Sequence, residues 1–412
     1  MDLGVRTSRR AAALSALLLA ACAVAASWTA SATHAAPAPA HASVATAPGS
    51  GTATPRTGLG ISAFFVLPAP TVEANERQLR EMGADAITFG HRVEPAPRSS
   101  FPTEVQRLIG SRTPYAYAGG LSWRPSALRP GDEQVRICWV TWTVTDTGHG
   151  TVVVSSDADD RQGALVRAGN ALGAKTILGL PAPRAGSQDG VAYLPDTSYL
   201  PTLAAFTQRF VVEARAEGAD GFYQHVEMPV TDTRTWNPVR QLYASQNASV
   251  SRAWPHALVV LSPYLESRRD KAFVTPEQAA RGATMLAATA QGTRLVLAPQ
   301  DGLGTGTTAL ASDTSTAPGH VAPLESYLQA MRAAVGQRLW VNVELMRPAP
   351  GGAAGAREAT TRSRVLDQLA AEQPYVSGAV AFIWDDRTRD IGAVRVVDGM
   401  AGLSDGFGTT GR

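Results

Sequence analysis

A chain of 412 residues, 44% hydrophobic and 17% charged, is long enough for one large domain or two ordinary ones around a sizeable core. Its 37 basic and 35 acidic residues leave a formal charge of +2 with no long run of either sign, which argues against a nucleic-acid groove or an electrostatic membrane patch and for a neutral or weakly charged partner. Past Cys22 the only cysteine is Cys138, so no intrachain disulfide is expected and the core must hold the fold.

Residues 1–35 read as an export signal. Arg6, Arg9 and Arg10 form a basic start, "AAALSALLLAACAVAA" is apolar but too short to cross a bilayer comfortably, and small-residue cleavage options follow. "LAAC" at 19–22 resembles a lipobox in which Cys22 would carry lipid; an incidental cysteine in an Ala-rich segment is the equal alternative. Residues 36–57, rich in Ala, Pro, Ser and Thr, read as a disordered tether. The expected protein is a bacterial monomer, secreted or attached to the cell envelope, with a lipid on Cys22 as its one route to the membrane.

From residue 58 apolar strand-like runs alternate with helical spacing. "GLGISAFFVLP" (58–68) is followed by a helix over 71–83 and a strand over 84–94. After an irregular stretch come a helix (161–173), "KTILGLPA" (175–182), a helix (200–218), "DGFYQHVEM" (220–228), a helix near 238–253 and "HALVVLSPYLE" (256–266). The series continues with a helix near 275–291, "TRLVLAPQDG" (293–302), a helix (324–336), "QRLWVNVELM" (337–346), a helix near 359–373 and "SGAVAFIWDD" (377–386). Near-continuous apolar strands separated by helices require a parallel sheet covered on its faces.

Eight such units in about 330 residues suit an α/β fold of the (β/α)8 TIM-barrel type over 58–390, followed by a tail over 391–412. A doubly wound open sheet is the alternative; "FFVLPAPTVE" places prolines where a dinucleotide loop needs glycines. An insertion over 95–158, between strands two and three, carries a predicted β-hairpin of "VRICWVTWTV" and "TVVVSSD". Its aromatics, Tyr115, Tyr117, Trp123, Trp139 and Trp142, read either as sugar platforms or as hairpin core, the second more often for any one of them.

Barrel chemistry is built at the C-terminal strand ends, and polar residues collect there. Glu227 and Glu344 are the best pair for glycosidic cleavage, which needs one carboxyl to protonate the leaving oxygen and another to attack the anomeric carbon or activate water. Each follows an apolar strand; pairing with an arginine at the rim is the structural alternative. Gln300 and Asp301 lead from a strand into the loop "GLGTG", which suits hydroxyl binding, or else a simple Asp-Gly turn. Tyr264, Asn342, His225 and His91 complete the expected sugar-lining set, and Trp384 is either a stacking face or a core aromatic. No metal is expected, because the usual His-x-His after strand one is missing; no cofactor is expected either, and no G-x-S-x-G elbow is present.

The segments "GFYQHVEM", "LSPYLE", "APQDG", "LWVNVELM" and "VAFIWDD", in that order, resemble a bacterial family of TIM-barrel proteins proposed to be glycoside hydrolases, domain of unknown function 4434. The resemblance covers about residues 58–390 and implies a barrel with a sugar-cleaving role. Large retaining glycosidase families on this barrel carry the acid/base on strand four and the nucleophile on strand seven, where Glu227 and Glu344 fall; their usual Asn before the acid/base is Val226 here. The expectation is an exported glycoside hydrolase acting on a polysaccharide or glycan, of the retaining type. Its competitors are a non-catalytic carbohydrate-binding envelope barrel and a metal-dependent hydrolase.

Overall fold

The computed structural model describes residues 58–119, 128–156, 160–188, 193–313, 317–348, 357–384, 403–407 and 410. The export signal with Cys22, the tether, Trp123 and most of the expected C-terminal tail lie outside these residues. Eight parallel strands form one sheet: β1 (Ile61–Phe65), β2 (Asp85–Ile87), β3 (Thr176–Gly179), β4 (Gly221–Gln224), β5 (Leu258–Leu261), β6 (Arg294–Leu297), β7 (Val341–Glu344) and β8 (Ala379–Phe382). Their order is β6-β5-β4-β3-β2-β1-β8-β7. The ends meet through parallel bridges from Leu297 to Leu339 and from Gln300 to Asn342, so the sheet closes into a (β/α)8 TIM barrel. The seam is looser than the other ladders because Pro299 has no N–H to give; it contributes only its carbonyl, which accepts from Asn342 N at 2.8 Å.

Successive strands are joined by helices α1 (Val72–Met82), α2 (Arg161–Leu172), α3 (Leu200–Glu217), α4 (Asn237–Ala253), α5 (Pro276–Ala287), α6 (Leu324–Val335) and α7 (Arg362–Glu372). Their boundaries follow local chemistry. Thr71 accepts from Ala74 N at α1 while Gly83 ends the helix in the left-handed region, and Thr275 and Gln278 form a reciprocal capping box at α5. The strands are apolar on both faces because the barrel has two cores. Phe65, Ile87, Ile177, Tyr223, Val260 and Val380 fill the interior, and Phe64, Leu79, Phe222 and Val259 pack in the layer beneath the helices. Full burial of one such side chain is worth about 1.5–3 kcal/mol.

The insertion departs from the single predicted hairpin. It is a six-stranded sheet in the order 133–137, 140–146, 151–156, 114–118, 92–95, 182–183. The run expected as one strand over 135–144 is folded back at Cys138 and Trp139, with Cys138 at φ 55°, so there are two antiparallel hairpins. The strand expected over 84–94 is likewise two, because the chain leaves the barrel after Ile87 and crosses the end of β3. That crossing needs glycine on both sides: a Cβ on Gly90 would come within 1.9 Å of Leu180 O, and one on Gly179 within 1.9 Å of Gly90 N. Tyr117 is core, buried against Phe206 and Phe210, while Trp142 is partly buried and packs edge-on to Phe101 on the insertion's own small cluster. Trp139, 53% exposed, sits at the hairpin tip. A buried Arg209–Asp132 ion pair, which also holds Thr145, ties the insertion to α3.

Within the segment read as a tail, residues 403–407 and 410 lie against the barrel. Ser404 and Gly406 bridge to Ile61 and Ala84, and Thr410 donates to Asp85 at 2.7 Å through its hydroxyl, closing the N-terminal end of the barrel.

Candidate active site

The C-terminal strand ends bring the two glutamates into one electrostatic neighbourhood. Glu227 lies three residues past β4. The segment is pinned to the chain after β5, where Tyr264 N donates to Met228 O at 3.0 Å and Val230 N to Tyr264 O at 2.9 Å. Val226 and Met228 are buried on either side while Glu227 is exposed, so the alternation turns this carboxylate toward the mouth. Solvent reaches Glu227 through the mouth, yet protein atoms surround it. This desolvation pushes its pKa up to about 7, opposed by a hydrogen bond from the Gln300 side chain and reinforced by the charge of Glu344.

Glu344 is the last residue of β7 and 2% exposed. Its carboxylate accepts from Thr305 N at 2.6 Å, from Thr305 Oγ1 at 3.2 Å, and from the backbone of Gly304. Burial raises its pKa; these hydrogen bonds and the charge of Arg357 pull the other way. The loop after β6 therefore approaches Glu344 itself. A Cβ on Gly304 would lie 2.8 Å from Glu344 Cβ and 2.6 Å from Met346 O, so only glycine lets the loop descend this far.

Of the other residues read from sequence, Gln300 is half-buried beside Glu227. Tyr264 is half-buried, packs edge-on to Trp236, and has its hydroxyl pushed up to about 12 by burial and then by Glu227. His225 is half-buried against Phe89 and Tyr223. Burial and the positive neighbours Arg92 and His91 bring it down to about 4, so it is a neutral imidazole at neutral pH, with a buried Nδ1 that has no partner among the described residues. His91 is exposed and meets Tyr117 edge-on.

Three expected ligand-lining residues lie elsewhere. Asp301 is fully buried, and its carboxylate takes the backbone N–H of Leu303 (3.1 Å), that of Glu344 (3.3 Å to each oxygen) and Gln368 Nε2 (2.9 Å). It braces Glu344 from behind because the loop turns inward at Gly302. Asn342 is 1% exposed and donates to Ser262 Oγ at 2.9 Å; a residue in mid-strand stays within the wall of the barrel. Trp384 is 8% exposed and packs edge-to-face on Phe64 in the outer core, 5.8 Å between centroids. Glu266, another strand-end carboxylate, is occupied by a bidentate ion pair with Arg268.

Sequence reading missed Thr305, Arg357, Glu372 and Tyr243, the last a buried residue of α4 whose hydroxyl donates to Val226 O beside Glu227. For Glu372 a signal existed. The buried stripe of α7 reads Val365, Gln368, Leu369, Glu372, placing two polar residues one turn apart at core positions. Among the described residues, no three His, Cys, Asp or Glu side chains are gathered to hold a metal ion.

No protein-family model matches the chain, and no curated protein matches it. Among solved structures it is similar to a "putative alpha-L-fucosidase from Bacteroides thetaiotaomicron", at 11% identity and TM-score 0.48 over 89% of this chain and 99% of that one. It is also similar to morphinone reductase, at 11% identity and TM-score 0.38 over 77% and 81% of the two chains. An old yellow enzyme homologue from Zymomonas mobilis aligns at 12% identity and TM-score 0.36 over 77% and 84%. Likeness at this level leaves the chemistry to be read from the site itself.

Proposed function

We propose that the protein is an exported glycoside hydrolase that cleaves a polysaccharide or glycan by a two-glutamate, retaining mechanism. The observation that carries this reading is the pair itself. Glu227 is reached by solvent and holds its proton up to about pH 7, and it feels the charge of Glu344, which ends strand seven and is held by Thr305 of the loop after strand six. Glycosidic cleavage requires one protonated and one ionised carboxyl; in this reading Glu227 is the first, and Glu344, whose carboxylate receives the Thr305 and Gly304 donors, is the second.

In the first step Glu227 gives its proton to the leaving oxygen while a Glu344 oxygen attacks the anomeric carbon, forming a glycosyl ester. Esterification removes the Glu344 charge that helps hold Glu227 protonated. The Glu227 pKa then falls, and Glu227 becomes the base that takes a proton from the incoming water. Gln300 and Tyr264 border the acid, and neutral His225 offers an uncharged hydrogen-bonding edge suited to sugar hydroxyls. Export rests on the N-terminal segment; among the described residues no helix is long and apolar enough to cross a membrane.

One observation favours a second reading, carbohydrate binding without cleavage: Glu344 exposes only 2% of its surface beneath Gly304 and Thr305. The two readings separate on a panel of oligosaccharides and polysaccharides. Wild type that cleaves one of them, with Glu227→Gln and Glu344→Gln retaining binding but losing turnover, supports the hydrolase; binding without turnover by all three proteins supports the binder.

A further inference from the structure

Behind Glu344 lies a carboxyl pair that the cleavage steps do not use. Asp301 and Glu372 are both fully buried and in side-chain hydrogen-bond contact. The donors around them are unequally divided. Asp301 receives two backbone N–H groups and the Gln368 amide. Among the described residues, neither oxygen of Glu372 meets an N–H or O–H group. Two carboxylates in contact away from water repel strongly, and a buried ion without donors is costly, so the arrangement is stable only if one proton lies between them. The donor count decides its place: three N–H groups stabilise an anion at Asp301, and Glu372 has an oxygen free to carry hydrogen.

We propose that Glu372 is a neutral carboxylic acid at neutral pH, that it donates its proton as a hydrogen bond to ionised Asp301, and that the two act as positioning residues for Glu344. The chain of contacts runs from α7 to the site. Gln368 and Glu372, one turn apart, hold the Asp301 carboxylate; Asp301 holds the Glu344 backbone N–H; and the loop entered through Asp301 brings Thr305 onto the Glu344 carboxylate. Among the described residues, the other charges facing the pair are Glu344, beside Asp301, and Glu325, on α6 facing Glu372. Both are acidic, and with burial they raise the affinity of the pair for the one proton it shares.

The test is difference infrared spectroscopy of the full chain at neutral pH. Wild type minus Glu372→Gln is expected to contain the carbonyl stretch of a neutral carboxylic acid, shifted in heavy water. Wild type minus Asp301→Asn is expected to contain carboxylate bands instead, so either variant suffices if the other fails to fold. Carboxylate bands alone in the first spectrum, or a neutral-acid band in the second, would overturn the assignment. The positioning role rests on the hydrolase reading: Glu372→Leu should lower kcat on the order of 10²-fold with KM little changed, and Glu372→Gln, which keeps a donor for Asp301, should restore it. Equal kcat loss in the two variants would overturn positioning. Absence of turnover by wild type counts against the hydrolase reading, and the spectra decide the shared proton regardless.

Discussion

Replacing Glu372 by glutamine should make the protein more stable, relative to wild type, as the pH rises, a direction opposite to that of ordinary salt-bridged carboxylates. The sign follows from proton binding. In the unfolded chain a glutamate ionises near pH 4.3, whereas the folded Glu372 pKa is held well above the ordinary range by burial, the Asp301 charge and its hydrogen bond to Asp301. A group whose folded pKa is raised contributes stability that is full below the unfolded pKa and is lost as pH climbs toward the folded one. Over that window the folded state holds one more proton than the unfolded, so wild-type stability falls by about 1.4 kcal/mol per pH unit, or about 2.7 kcal/mol between pH 5 and pH 7. The substituted glutamine does not titrate; its surplus buried N–H adds a pH-independent offset of about 1–3 kcal/mol. Urea unfolding of wild type and variant at the two pH values isolates the effect to the Asp301–Glu372 pair, because titrating groups away from it cancel to first order. The difference should shift toward the variant by about 2.7 kcal/mol from pH 5 to pH 7, roughly 4 °C in Tm for a domain of this size. A pH-independent difference would refute the buried neutral acid.

Gln300→Leu removes a donor that lowers the Glu227 pKa, so the alkaline limb of kcat/KM, set by loss of the Glu227 proton at about 7, should move to higher pH. Thr305→Val removes one of the donors to Glu344 and should move the acid limb to higher pH, since Glu344 then ionises less readily; a profile unchanged in either variant would remove that residue from the account. Gly304→Ala forces a Cβ against Met346 O and Glu344 Cβ, with an expected loss of about 1–3 kcal/mol in denaturant unfolding and a larger fractional loss of turnover.

The barrel was legible in the sequence because a buried parallel sheet imposes apolar runs, and helices between them carry caps and glycine stops that mark each repeat. The positions of Glu227 and Glu344 at strand ends were legible because each carboxylate closes an apolar run. The roles of Asp301 and Trp384 were not, since side chains a residue apart at a strand end can face the mouth, the wall or the outer core, and sequence does not fix how the strand leaves the sheet. Asp301 turns inward because the Gly302–Gly304 loop descends onto Glu344. The insertion was misread for a related reason: the turn at Cys138 and Trp139 lacks the Asn-Gly or Asp-Gly pair that announces a two-residue hairpin. Glu372 escaped notice because its partner, Asp301, is far away in sequence.

The central claim is that Glu344 attacks sugar while Glu227 serves as acid and base. Glu227→Gln, given an activated glycoside whose leaving group needs no proton, should form the glycosyl ester but hydrolyse it slowly. Mass spectrometry of the digested protein should then find the peptide containing Glu344 heavier by one glycosyl unit. An unmodified Glu344 peptide, with product released at once in the inverted anomeric form, would contradict the account.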